Sequence, residues 1–151
     1  MDQSLRELYQ DVILDHSRHP RHFGRLPQAS HSGEGYNPLC GDRITLDLSL
    51  DDRNRIADIA FEGKGCAISQ ASASLMTDML IGRTVDEAEK LMGGFLRLVK
   101  GEESDNLPPE DRERLEVMAG VSAFPMRVKC ATLAWHTMKS ALEGGTPAAT
   151  E

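Results

Sequence analysis

Leu5, Leu8, Tyr9, Val12 and Ile13 recur at helical intervals, and Ser4 with Glu7 has capping-box spacing, so the pattern predicts a first helix from about Leu5 to His16. Pro20 cannot continue it. From Ser17 to Leu39 the chain is rich in Gly, Pro, Ser and His with no sustained period, which reads as a long connection holding one short strand near Glu34 to Pro38. Ile44, Leu46, Leu48 and Leu50 then alternate with Thr45, Asp47 and Ser49, placing the apolar side chains on one face of a half-exposed strand. A turn at Asp51 to Asn54 leads into a second run, Ile56 to Glu62, whose expected inward face is Ala57, Ile59 and Phe61. The two runs form an antiparallel hairpin.

The rest of the chain has helical periodicity. Ile68, Ala71, Leu75 and Met79 make one stripe, ended by Gly82. Thr84 and Glu87 form a second capping box before Val85, Ala88, Met92, Phe95 and Val99. Gly101 to Asn106 is polar and reads as a loop, and Pro108-Pro109 starts a short helix to about Met118. A longer last helix begins near Pro125 and faces the core with Val128, Ala131, Trp135, Met138 and Leu142. The tail from about Gly144 is expected to fray. The fold class is therefore α+β, a small antiparallel sheet of about three strands packed against a layer of helices, in one domain spanning 1–151.

Charge narrows the choice of partners. The 151 residues carry a formal net charge of −7, against nucleic acid as a primary partner, because affinity for phosphate backbones comes from clustered Lys and Arg. A local group of Arg18, Arg21 and Arg25 with His19 and His22 reads as a solvated loop, the alternative being a patch that meets an acidic partner protein. No apolar run approaches the ~20 residues that span a bilayer, and the acidic, amphipathic start is unlike a secretory signal, so the expected location is cytoplasmic, with no membrane partner. Thiols stay reduced there, and three cysteines, an odd number, fit a disulfide framework poorly.

Those cysteines carry the chemistry. Cys40-Gly41-Asp42, Cys66 after Gly63-Lys64-Gly65, and Cys130 after Arg127-Val128-Lys129 supply three soft sulfurs and a carboxylate, enough to close a four-coordinate site for zinc or iron. Alternate residues of an extended chain point the same way, so Cys40 and Asp42 can reach one ion, and Gly41 permits a sharp turn. Cys66 is placed where a helix begins, beside its unpaired N–H groups. Cys130 lies off the apolar stripe of its helix. Free cysteine is also among the most buried residue types, so three structural cysteines are the competing reading. His16, His19 and His22 recur every third residue, but Pro20 breaks any helix that would align them, and they read as a helix end and loop surface; His31 reads as solvated and His136 as surface or site-lining.

Tyr9-Gln10-Asp11-Val12-Ile13-Leu14-Asp15-His16 with Pro20-Arg21 and Gly24, then Asn37-Pro38-Leu39-Cys40-Gly41-Asp42, then Phe61-Glu62-Gly63-Lys64-Gly65-Cys66-Ala67-Ile68-Ser69, resemble the SufU branch of the IscU/NifU N-terminal family. The likeness runs from about Leu5 to Leu142. It implies a role in iron–sulfur cluster biogenesis, with Cys40, Asp42, Cys66 and Cys130 as metal ligands. Lys129 stands where IscU-type scaffolds have a histidine before the third cysteine. Phe124-Pro125-Met126-Arg127-Val128 lacks the Leu-Pro-Pro-Val-Lys signature read by a dedicated chaperone, and Gly101 to Gly120 resembles the insertion that marks SufU.

These departures imply a zinc-dependent sulfurtransferase that accepts persulfide sulfur from a SufS-type cysteine desulfurase and relays it toward downstream iron–sulfur scaffold proteins. A zinc-bound thiolate is deprotonated but restrained, so a partner that replaces one sulfur ligand frees a nucleophile at neutral pH. Cys40, on the loop arm, is the expected catalytic acceptor. Lys64, Arg127 and Lys129 are candidates for lining the site or meeting the partner. The alternatives are a scaffold that assembles a transient [2Fe–2S] cluster on the same ligands, with iron in place of zinc, and a structural zinc adaptor.

Overall fold

The computed structural model describes residues 3–103, 107–144 and 148–149. Its elements run α1 (Gln3–Arg18), β1 (His31–Asn37), β2 (Asp42–Leu50), β3 (Ile56–Lys64), α2 (Ala67–Leu80), α3 (Val85–Leu98), α4 (Pro109–Leu115), a 3-10 helix (Glu116–Ala123), α5 (Pro125–Leu142) and β4 (Ala148–Ala149). The strand order is β3-β2-β1-β4, with β1, β2 and β3 antiparallel and the two residues of β4 parallel to β1 at Gly35 and Tyr36. This is the expected α+β arrangement of three antiparallel strands and a helical layer, with β4 as a short addition. Of the tail expected to fray, Gly144 closes a turn, 148–149 pair as stated, and the remainder lies outside the described residues. Residues 104–106 of the expected polar loop also lie outside them, and 101–103 form neither helix nor strand.

β1 is longer than its sequence pattern suggests because its inward residues are Gly33, Gly35 and Asn37, none of which registers as apolar. The glycines are there for packing against α5. A Cβ at Gly33 would lie 2.9 Å from the Thr137 carbonyl oxygen, and one at Gly35 would overlap the Thr137 hydroxyl. In β2, Ile44, Leu46 and Leu48 are buried as expected. The expected face of β3 is corrected at one position. The register passes from Ser49↔Asp58 to Leu50↔Ile56, so Ala57 is an extra residue in a bulge and faces solvent, while Ile56 enters the core.

α2 is buried nearly all round rather than along one stripe. Its hydroxyl residues are covered by α1 and α5: the Ser72 hydroxyl donates to the Ala131 carbonyl, and the Ser74 hydroxyl lies 2.8 Å from Nδ1 of His16 and accepts the Arg21 N–H at 2.8 Å. His16 is therefore a buried packing residue, with its pKa lowered by burial and by the neighbouring Arg21 charge. The capping box at Thr84 and Glu87 forms as expected. Phe95 of α3 stacks on Trp135 of α5 with ring centroids 4.9 Å apart. The helix expected to run to Met118 ends at Leu115 and tightens into the 3-10 segment; Leu115 at the junction and Met118 and Val121 within the segment are buried at a spacing of three, the period of that helix. Arg83 pins α4 through a two-pronged bond to buried Asp111, at 2.7 and 3.2 Å.

Candidate metal centre

Two chain turns and one helix converge at one end of the sheet. The first links β1 to β2. Buried Asn37 closes it, its carbonyl oxygen accepting the N–H groups of Cys40 (3.3 Å) and Gly41 (2.8 Å) and its Oδ1 that of Leu39 (3.2 Å). Gly41 has φ +74°, a left-handed value that suits glycine, so Cys40 and Asp42 are brought together by a turn and not by the alternation of an extended strand. Cys40 is exposed and Asp42 is buried.

The second turn joins β3 to α2. Cys66 is the N-cap of α2, as its position after the strand predicts, with Sγ accepting the Ser69 N–H at 3.4 Å. Its own N–H donates to Asp42 Oδ1 at 3.0 Å. Gly65 makes this approach possible, since a Cβ there would lie 2.7 Å from Asp42 Oδ1. The third contribution is Cys130 on α5, buried at 3% exposure and yet aimed at the site.

Ligand atoms of Cys40, Asp42 and Cys130 lie within 4.8 Å of one another, a group that could hold a metal ion. The sulfurs of Cys40 and Cys130 are 3.4 Å apart. In a tetrahedral zinc site with Zn–S bonds of about 2.3 Å, two sulfurs stand about 3.8 Å apart, close to what is seen. Cys66 stands just outside this triangle, its Sγ 3.9 Å from Asp42 Oδ2. The Cys130 thiol is pushed far up, first by burial, then by hydrogen bonding to Asp42 and Cys40 and by the nearby Cys66 charge. Three sulfurs with one carboxylate suit a borderline-soft dication.

The three expected basic neighbours have distinct settings. Lys64 ends β3, exposed, with Arg43 its cross-strand partner. Arg127 is exposed and lies over the Phe124 ring, 4.8 Å from its centroid, while Lys129 is half-buried beside Cys130. None of the three forms an ion pair among the described residues. Sequence reasoning missed Asn37, although an Asn-Pro pair ahead of a cysteine signals a side chain that closes a turn. His19 is exposed and faces Asp15 at 3.5 Å, and His22, at φ 58°, lies 3.7 Å from Asp78. His136, half-buried on α5, has its pKa lowered by burial and by Lys139 and Lys100.

Comparison with known proteins agrees with this geometry. Residues 8–131 match the NifU-like N-terminal domain. The chain is 43% identical over 139 residues to the iron–sulfur cluster assembly scaffold protein IscU of Streptococcus pyogenes, covering 92% of this chain and 85% of that one. It is 41% identical over 145 residues to the zinc-dependent sulfurtransferase SufU of Bacillus subtilis, covering 94% and 96%. A crystal structure from Fervidobacterium islandicum, described as an iron–sulfur cluster assembly scaffold protein for the SUF system, superposes with a TM-score of 0.78 at 37% identity, covering 90% of this chain and 97% of that one. With a match across most of its length and cysteine-bearing turns that converge in the fold, the chain belongs to the NifU-like N-terminal domain family.

Proposed function

We propose that this protein works in iron–sulfur cluster assembly as a zinc-dependent sulfurtransferase, taking persulfide sulfur on Cys40 from a SufS-type cysteine desulfurase and handing it to downstream scaffold proteins. The observation that carries this reading is the contrast between two adjacent sulfurs: Cys40 is exposed on a turn held by backbone bonds to Asn37, while Cys130, 3.4 Å away, is buried in a helix. A loop residue moves at less cost than a buried helical one. The 41% identity to a zinc-dependent sulfurtransferase over almost its full length supports the assignment.

Cys40, Asp42, Cys66 and Cys130 would hold the zinc, which when bound keeps thiols ionised at neutral pH. The chain's own residues do the rest. The Cys40 thiolate attacks the outer sulfur of the donor persulfide. A new Cys40 S–S bond forms, the donor's S–S bond breaks, and its electron pair leaves on the donor thiolate, so no outside oxidant or reductant is consumed. Asp42 stays beside Cys66 through the Cys66 N–H. No helix among the described residues is long and apolar enough to cross a membrane.

A second reading has support of its own. The Streptococcus pyogenes relative is named a cluster assembly scaffold, and thiolates hold [2Fe–2S] clusters as well as zinc. The deciding experiment follows labelled sulfur from a desulfurase to the full-length protein and to Cys40→Ala, with the metal content of each. Sulfur transfer is expected only in the former, which should carry about one zinc; normal transfer by Cys40→Ala rejects the assignment. Reconstitution of a cluster that passes quickly to an acceptor favours the scaffold. If alkylation after partner binding reveals no newly reactive thiol, a structural zinc adaptor is the better description.

A further inference from the structure

The sulfurs of Cys40 and Cys130 stand 3.4 Å apart, within the separation from which reacting atoms go on to form a bond. Their settings differ. Cys40 is exposed on the turn between β1 and β2, whereas Cys130 is 3% exposed on α5, so the buried sulfur approaches Cys40 from the protein side. Joining them as a disulfide of ~2.05 Å takes a shift of about 1.4 Å, which the exposed turn residue makes at less cost than the helical one. Cys66 is placed for another task. Its Sγ caps α2 by accepting the Ser69 N–H at 3.4 Å, and it lies outside the group formed by Cys40, Asp42 and Cys130.

A persulfide on Cys40 has two sulfurs, and the geometry separates them. The inner one is Cys40 Sγ itself, in contact with Cys130. Displacement at that atom is in line, so the outer sulfur must point away from Cys130, toward the open side of the exposed turn. An attack on the inner sulfur therefore sends the outer one into solvent or to a waiting acceptor.

We propose that Cys130 is a resolving thiol: when no metal holds it, its sulfur attacks Cys40 Sγ and expels the outer sulfur of the persulfide as hydrosulfide. This rests on the sulfur-transfer reading, which supplies the persulfide. A Cys40–Cys130 S–S bond forms, the bond from Cys40 to the outer sulfur breaks, and its electron pair leaves on the outer sulfur. The Cys130 thiol is hydrogen-bonded to Asp42, and its proton ends on the outgoing sulfur. The sulfane sulfur gains two electrons and the two cysteine sulfurs lose them, so the persulfide is the only oxidant. Sulfur thus leaves at the oxidation level of sulfide, the level found in an iron–sulfur cluster. The disulfide left behind has to be reduced before the next round, which places thiol–disulfide exchange with a dithiol reductant next in the sequence. With Cys130 engaged as a metal ligand its attacking lone pair is occupied, and the sulfur stays on Cys40 as persulfide.

The test loads the full-length zinc-bound protein with labelled sulfur from a cysteine desulfurase, removes the donor and all small thiols, and then adds a thiol-free chelator. Free labelled sulfide is measured, and disulfide-linked peptides are mapped by mass spectrometry. Chelation should convert bound label into sulfide, with an equal amount of Cys40–Cys130 disulfide, while the zinc-bound protein releases at least about ten-fold less. Cys130→Ser, loaded in the same way, should keep its label on Cys40 after chelation. Should the serine variant fold poorly, the peptide map of the unaltered chain tests the same step without it. Label that stays on the unaltered chain after chelation, sulfide without the disulfide, or a disulfide that joins Cys66 instead overturns the resolving role and leaves sulfur transfer standing. Release by a folded Cys130→Ser equal to that of the parent, or equal release with and without chelator, does the same. If no label reaches Cys40 at all, the sulfur-transfer reading falls and this inference falls with it.

Discussion

The Nδ2 of Asn37 points at the Sγ of Cys130 from 3.9 Å, across 93 positions of sequence, while the main chain of the same residue holds the Cys40 turn. One buried amide thus touches both arms of the candidate centre. Asn37→Ala leaves the two bonds to its main-chain carbonyl in place but removes the contact to sulfur and the bond to the Leu39 N–H. Loss of a group that orients a ligand typically costs about ten- to a hundred-fold in metal affinity, and a drop of that size is expected in a chelator competition assay. Unchanged affinity would show that Asn37 serves only the turn.

Gly65 makes a sharper prediction. Its added Cβ would press on Asp42 Oδ1 at 2.7 Å and crowd Ser69 Oγ at 3.2 Å, so Gly65→Ala must displace the carboxylate or shift the start of α2. The variant should lose zinc affinity while keeping its helical circular dichroism. Gly120→Ala, where a Cβ would meet nothing within 4 Å, should bind zinc like the parent.

Cys40, Asp42 and Cys130 come together as their sequence setting suggested, because sulfur and carboxylate are rare enough in combination for that setting to be informative, while Cys66 stands outside the group. Cys66 sits at a helix start and Cys130 faces the site, as spacing and period imply. What stayed hidden was the matrix that aims them. Asn37 and the glycines of β1 are small or polar, so hydrophobic periodicity passes over them although all three are buried. The bulge at Ala57 depends on register against β2, a long-range property. His16 and Ser74 meet across 58 positions, and each alone looks like surface.

Adjacent glycines in α3 should respond to alanine with opposite signs. A Cβ at exposed Gly93 meets nothing within 4 Å, so Gly93→Ala should stabilise the protein by about 0.8–1 kcal/mol through helix propensity. A Cβ at Gly94 would fall on buried Leu107, 2.6 Å from its Cδ1, and overpacking there should cost about 1–3 kcal/mol. Urea denaturation of both variants checks the pair. Because Leu107 opens the approach to α4, Gly94→Ala should also loosen that segment, seen as faster amide exchange in α4 with unaltered zinc affinity.

Asp47 should control acid stability. It is 1% exposed in β2 and accepts bonds from Arg25 Nε (2.7 Å), Ser32 Oγ (2.7 Å) and the Leu26 N–H (3.0 Å), tying the long connection after α1 to the outer face of the sheet. Burial alone pushes its pKa up, but the bonds from Arg25, Ser32 and Leu26 together outweigh burial and hold it below the usual carboxylate value. A carboxylate with a depressed folded pKa stabilises fully above its unfolded pKa of about 3.9, and that contribution disappears as pH falls through the folded value. Asp47→Asn should therefore be less stable than the parent at pH 7, by about 1–3 kcal/mol for a charged hydrogen-bond acceptor lost from a buried site. The gap should close progressively below about pH 4 as the parent's own carboxylate takes up its proton. Denaturant midpoints for both proteins at pH 7 and at about pH 3 read this directly. A gap of equal size at both pH values would mean that the amide fails on shape and that charge at Asp47 contributes nothing.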